Sequence, residues 1–192
     1  MKIILVIAAF CVFLAFLRLL ELFWLAKDKK EGKVFSRWSI YGLSALYVLL
    51  LSCSAAEFVL GPAELYWPLS AAGLLLMSAR VGLKIWSAKT LSKFWSFHVE
   101  IRDDHELIIA GPYKYIRHPA YLSAFVDAIG IVMFFNALYS AALFVPLMTL
   151  MLYIRITTEE KQLIIKFGDK YKSYIKRTNA VIPFRQFGIG KP

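Results

Sequence analysis

Long apolar runs separated by short charged loops dominate the chain, and their lengths set the first reading. Residues 3–26, 38–60, 65–86, 119–135 and 137–156 are each predominantly apolar, and a helix needs about 20 such residues to cross the hydrocarbon of a bilayer. The pattern predicts an all-α integral membrane helical bundle of about five transmembrane helices. Lys2 followed by the unbroken run 3–17 has the outline of a secretory signal. Apolar residues resume at Leu19, Leu20 and Leu22 and continue to Ala26 with no small-residue cleavage site, so a retained first span is expected.

The loops orient the bundle. Segment 27–37 holds Lys27, Lys29, Lys30, Lys33 and Arg37 against Asp28 and Glu31, whereas the turn Gly61-Pro62-Ala63-Glu64 is short and acidic. Basic loops stay on the cytoplasmic side, which predicts an N-terminus outside and a C-terminus in the cytoplasm. Arg80 and Lys84, near the end of the third run, are expected to snorkel towards the cytoplasmic face. Beyond residue 156 the chain is basic, with Leu163, Ile164, Phe167, Tyr171, Tyr174 and Ile175 at roughly helical spacing. That spacing predicts a cytoplasmic C-terminal amphipathic helix lying on anionic headgroups. No internal repeat or low-complexity linker divides the sequence, so 1–192 is expected to form one membrane domain.

Composition narrows the function classes. Of 192 residues 59% are hydrophobic, more than the core of one small soluble domain hides. The net charge of +10 does not point to nucleic acid, because the basic residues lie between and after apolar spans instead of forming one basic domain. Cys11 and Cys53 sit inside apolar runs without the spacing of a zinc site or redox pair, so both are expected to be small buried hydrophobes and no metal is implied.

Chemistry concentrates in the long polar and aromatic segment 87–118 and where it enters the fourth span. In Gly111-Pro112-Tyr113-Lys114-Tyr115-Ile116-Arg117-His118-Pro119-Ala120-Tyr121, proline disfavours helix at the residue before it and suits the first helical position. His118 should therefore be extended and Pro119 should begin the span. Backbone N–H groups at that start, with Arg117 and His118, would favour a carboxylate or phosphate; snorkelling anchors at the headgroups are the alternative. A second cluster, Arg155, Glu159 and Glu160, sits where the fifth span leaves the membrane. Arg155 and Glu159 are four apart and would make an ordinary helix-surface ion pair, or else converge on the pocket of the neighbouring helix. Two further groups lie within spans. Arg18 and Glu21, three apart, are expected to neutralise each other. Asp127 lies about two turns into the fourth span, where an acid costs roughly 2.5–3.5 kcal/mol on insertion scales; contact with substrate, a pair with Arg18 and packing by hydrated groups all stay open.

The run His105-Glu106-Leu107-Ile108-Ile109-Ala110-Gly111-Pro112-Tyr113, the motif Arg117-His118-Pro119-Ala120-Tyr121, and the tail Glu159-Glu160 with Leu163, Phe167-Gly168, Tyr171, Tyr174 and Pro183-Phe184 resemble the isoprenylcysteine carboxyl methyltransferases, and more distantly the phospholipid N-methyltransferases. The resemblance covers about residues 97–184. It implies S-adenosyl-L-methionine as cofactor, held by His105, Glu106, Leu107, Ile108, Tyr113, Arg117, His118, Pro119, Ala120, Tyr121 and Glu159, with Arg155 facing the acceptor as the catalytic and substrate-binding residue. Glu159 suits the cofactor's ammonium or ribose hydroxyls, and tyrosine faces suit its adenine or sulfonium.

A carboxylate acceptor is already ionised near neutral pH and needs no general base, so Arg155 would orient it. A phenol would need one; Glu160 and His98 are at hand, but each reads as an exposed polar residue. The short five-span form resembles prokaryotic members. It implies a prokaryotic cell membrane, no obligate protein partner, and a lipophilic acceptor that is a small molecule or a prenylated substrate. Two rival readings remain: an NADPH-dependent membrane reductase of the sterol-reductase type, against which the Glu159-Glu160 tail argues, and a non-catalytic lipid-binding membrane protein, which predicts no cofactor binding.

Overall fold

The computed structural model describes residue 14 and residues 33–35, 37–61, 66–96, 100–101 and 106–182. Within them lie α1 (Arg37–Leu60), α2 (Trp67–Leu91), α3 (Pro119–Phe135), α4 (Leu138–Phe167) and α5 (Asp169–Arg177), with short 3-10 turns at Ser92–Phe94 and Gly111–Lys114. Strands β1 (Lys33–Val34) and β2 (Glu100–Ile101) pair antiparallel, Lys33 opposite Ile101. The chain is an integral membrane helical bundle. Among the described residues three helices are long and apolar enough to cross a membrane: those over Trp38–Leu60, Trp67–Phe94 and Leu138–Phe167. The expected first span, with Arg18, Glu21 and Cys11, lies outside the described residues apart from Leu14, which packs against the core.

α3 is the central helix. At 17 residues it spans only about 25 Å, and it contacts α1, α2 and α4. Its buried residues Ala128, Ile131, Val132 and Phe135 meet Leu50 of α1, Met77 of α2 and Phe144, Met148 and Leu152 of α4. Lipid is as apolar as these side chains, so close packing holds such helices together. The α2–α3 approach is the tightest: a Cβ on Gly73 would come 2.6 Å from the Gly130 carbonyl oxygen, and one on Gly130 2.9 Å from that of Gly73.

A tight turn joins α3 to α4. Asn136 takes left-handed φ of 54°, which asparagine tolerates at a helix end. Its N–H reaches the Met133 carbonyl and that of Ala137 the Val132 carbonyl. The Asn136 Nδ2 donates to Ser70 Oγ (2.9 Å), which donates to the Phe134 carbonyl (2.9 Å). Glu57 of α1 accepts the N–H groups of Tyr139 (2.9 Å) and Ser140 (2.7 Å) and the Ser140 hydroxyl (2.7 Å). A carboxylate at the positive end of α4 caps N–H groups that would otherwise meet lipid.

Several expectations are corrected. α2 runs five residues beyond the expected end at 86, and α4 continues past 156 to Phe167, because the polar stretch from Thr157 has no helix breaker before Gly168. Arg80 does not snorkel. Only 6% exposed, it lies with Nε 2.9 Å from Oδ1 of Asp127, itself 1% exposed. Asp127 therefore has its cation on α2. Cys53 is exposed on the outer surface of α1 and not buried. The amphipathic face after Gly168 turns inward, since Tyr171 and Tyr174 are buried against the protein.

Candidate active site

Breaks in helical geometry bring the candidate site side chains together at the end of the bundle where α2 and α4 finish and α3 begins. Gly111 has φ of +54°, and a Cβ there would lie 2.6 Å from Thr90 Oγ1 and 3.1 Å from Trp86 Nε1 on α2. Conformation and space both call for glycine. The 3-10 turn that follows closes with the Tyr113 N–H on the Ala110 carbonyl and buries the Tyr113 side chain. Pro119 then opens α3 as expected, with His118 as its non-helical N-cap.

The C-terminal segment locks this entry. Ile116 and Asn179 form a parallel bridge, the Arg117 N–H donates to the Asn179 carbonyl (2.9 Å) and the His118 N–H to the Ala180 carbonyl (2.8 Å). The N–H groups of Tyr121 and Leu122 turn back to the His118 carbonyl. The cradle of free N–H groups expected at this helix start is thus largely filled by the chain itself. Arg117 is also committed: Nε donates to Glu160 Oε1 (2.6 Å), and Nη1 donates to the carbonyls of Ile175 and Thr178 at the end of α5. A cation there suits the negative end of that helix. The Tyr174 hydroxyl donates to the Tyr113 carbonyl, tying α5 to the Gly111–Lys114 turn.

His118 lies between the two carboxylates, Nε2 3.0 Å from Glu160 Oε1 and Nδ1 3.9 Å from Glu159 Oε2. Its ring stacks on Tyr121, centroids 5.5 Å apart and planes 22° from parallel. The Tyr121 hydroxyl donates to Glu159 Oε2 (2.6 Å), and the Arg155 guanidinium carbon sits 5.3 Å from the Tyr121 ring centroid. Arg155, 2% exposed, donates from Nη1 to Ser39 Oγ of α1 (2.8 Å). The structure thus brings together Tyr113, Arg117, His118, Pro119, Ala120, Tyr121, Arg155 and Glu159. Among the other expected residues Glu106 is exposed, Leu107 and Ile108 are half-buried, and His105 and His98 lie outside the described residues.

Glu160 is not the exposed polar residue expected; its side chain is 19% exposed and holds both Arg117 and His118. Nothing local marks that pairing in the sequence, because 43 residues separate Arg117 from Glu160. Ser39 gives no sequence signal at all. The tyrosines around the site stay protonated. Burial and then the Glu159 carboxylate push the Tyr113 phenol far above its ordinary value, partly offset by a hydrogen bond with Ser87. Burial pushes Tyr174 up to about 12 against the pull of Arg117. Both phenols are therefore neutral near neutral pH, and that of Tyr174 donates to the Tyr113 carbonyl.

Residues 71–165 match the model of the isoprenylcysteine carboxyl methyltransferase family. The chain is 40% identical over 80 residues, 42% of its own length and 34% of the relative, to the protein-S-isoprenylcysteine O-methyltransferase of Schizosaccharomyces pombe. It is 33% identical over 150 residues, 72% of its length and 51% of the relative, to that of Rattus norvegicus. The matched stretch therefore spans about a third to a half of these relatives. A solved structure of the eukaryotic intramembrane Ras methyltransferase, an isoprenylcysteine carboxyl methyltransferase, superposes with TM-score 0.60 at 27% identity, covering 79% of this chain and 55% of that one.

Proposed function

We propose, because the chain belongs to the isoprenylcysteine carboxyl methyltransferase family through residues 71–165, that it methylates the carboxylate of a lipophilic, isoprenylcysteine-like acceptor with S-adenosyl-L-methionine. Residues 1–192 would act as one membrane domain with the site at the cytoplasmic face, the side to which the basic loops assign it. The observation that carries the reading is the meeting of Glu159 and Arg155, one helical turn apart on α4, with Tyr121 in the first turn of α3.

The donor set fits the proposed cofactor. Glu159 keeps an accessible carboxylate, its side chain 31% exposed, matched to an ammonium or to ribose hydroxyls. The stacked rings of His118 and Tyr121 offer flat faces for a heterocycle or a cation. Arg117 contributes by holding Glu160, and so His118, in place. S-adenosylmethionine supplies a methyl group bonded to a sulfonium. Arg155 would present a positive charge to the acceptor carboxylate, which is ionised near neutral pH and would need no base to take the methyl group as its bond to sulfur breaks, leaving neutral S-adenosylhomocysteine. Holding the two reactants in line is the main contribution asked of the protein.

Purified protein in detergent should be thermally stabilised by S-adenosylhomocysteine and not by NADPH; stabilisation by NADPH alone sinks the methyltransferase reading. With methyl-labelled S-adenosylmethionine and S-farnesyl-N-acetylcysteine as acceptor, label should appear as a base-labile methyl ester. Glu159→Ala should lose S-adenosylhomocysteine affinity. Arg155→Ala should keep that affinity and lose turnover; unchanged turnover removes Arg155 from the site.

A further inference from the structure

We infer that Ser39, at the start of α1, is a positioning residue for Arg155, so that acceptor recognition depends on a helix outside the matched segment 71–165. The inference rests on the proposed role of Arg155 towards the acceptor. Ser39 is 1% and Arg155 2% exposed, and Arg155 Nη1 donates to Ser39 Oγ at 2.8 Å. A guanidinium is a planar fork whose direction matters as much as its charge. The Tyr121 ring, 5.3 Å from the Arg155 guanidinium carbon, supports the side chain from α3. Ser39 fixes one of its nitrogens from α1, so the plane is set by groups on two other helices.

The surroundings of this contact keep it close. Gly42, three residues along α1 from Ser39, faces Met151, four residues before Arg155 on α4; a Cβ on Gly42 would come 3.0 Å from Met151 Cε. Residues three and four apart share a helix face, so small residues of α1 oppose long residues of α4 along one seam. α1 can therefore approach Arg155 closely enough for a side chain as short as serine to reach it. Alanine at 39 would preserve the close approach but remove the acceptor oxygen. The guanidinium would then lose one of the contacts that set its plane, while Glu159, Tyr121 and His118 remain as they are.

The test compares the acceptor and donor sides of the reaction in Ser39→Ala, Ser39→Cys and Ser39→Thr, with S-farnesyl-N-acetylcysteine and methyl-labelled S-adenosylmethionine. Ser39→Ala should lower kcat/KM for the acceptor roughly tenfold, the scale of one hydrogen bond to a charged group, while S-adenosylhomocysteine affinity stays within about twofold. Ser39→Thr, which keeps the hydroxyl, should restore most of the loss. Ser39→Cys, nearly isosteric but a weak acceptor, should fall between. An S-adenosylhomocysteine-induced thermal shift in each variant verifies folding. Acceptor kinetics within twofold of wild type in both Ser39→Ala and Ser39→Cys overturn the inference, as does an equal loss of S-adenosylhomocysteine affinity. Failure of the underlying reading looks different: wild type would not methylate the probe, or Arg155→Ala would leave turnover unchanged.

Discussion

Replacing Asp127 by Asn removes one charge from a pair buried between α2 and α3 and leaves the other where it is. Arg80 Nε and Asp127 Oδ1 are 2.9 Å apart with side chains 7% and 1% exposed, and the approach is close without being collinear. Truncating one partner of a buried pair costs about 3–5 kcal/mol, because the remaining charge stays inside with its nearest counter-charge removed. Helices that have come apart within a bilayer or micelle still find polar partners, so the lower end, about 3 kcal/mol, is expected. For a chain of this size, 1 kcal/mol moves the midpoint by roughly 2–4 °C, so Asp127→Asn should lower Tm by about 6–12 °C. Tryptophan fluorescence during heating in detergent measures it. The double variant Arg80→Met with Asp127→Leu removes both charges at similar volume and should return to within about 1 kcal/mol of wild type. S-adenosylhomocysteine affinity should survive in the double variant, since the pair is not among the residues proposed to hold the cofactor. A single variant as stable as wild type, or a double variant as unstable as the single, refutes the ion-pair account. A stable single variant without turnover would instead move Asp127 to the substrate.

Gly111→Ala forces a Cβ into a positive-φ position and against Thr90 Oγ1; a loss of about 1–3 kcal/mol is expected. S-adenosylhomocysteine affinity should fall with it, because Tyr113 is two residues on, and calorimetric titration of the variant checks this. Glu57→Gln keeps one acceptor oxygen where two now hold Tyr139 and Ser140. It should cost about 1 kcal/mol, the scale of a helix cap, and leave S-adenosylhomocysteine affinity unchanged, read from thermal midpoints with and without the compound.

What the sequence made legible was local. Pro119 opens α3 as the sequence indicated, because proline acts through its own backbone. The end of α4 was misplaced because a change from apolar to polar residues marks where a helix leaves hydrocarbon, not where its hydrogen bonds stop. Gly168, with φ of +56°, is what breaks it. The face of Tyr171 and Tyr174 was assigned to lipid because apolar spacing looks the same whether the stripe meets lipid or protein. The pairs Arg117–Glu160 and Arg155–Ser39 left no trace, since each joins residues far apart in sequence through geometry that only the assembled bundle supplies.

The Arg80–Asp127 pair is a different case, because its ingredients were available one residue at a time. Asp127 lies eight residues beyond Pro119, about 12 Å along α3 from the site end, and Arg80 lies eleven residues before Leu91, about 16 Å along α2 from the same end. Two opposite charges at similar depth on neighbouring helices satisfy each other more cheaply than either satisfies itself alone. Snorkelling would have carried Arg80 out along one turn or more of helix while leaving Asp127 in hydrocarbon. Depth matching across spans, added to residue-by-residue reading, narrows the partner of Asp127 on α2 to Arg80 or Lys84, and the assembled bundle selects Arg80. It does not reach Ser39, whose hydroxyl carries no charge to be balanced. Acceptor-side kinetics at that position are therefore the sharper test of whether α1 shapes the site.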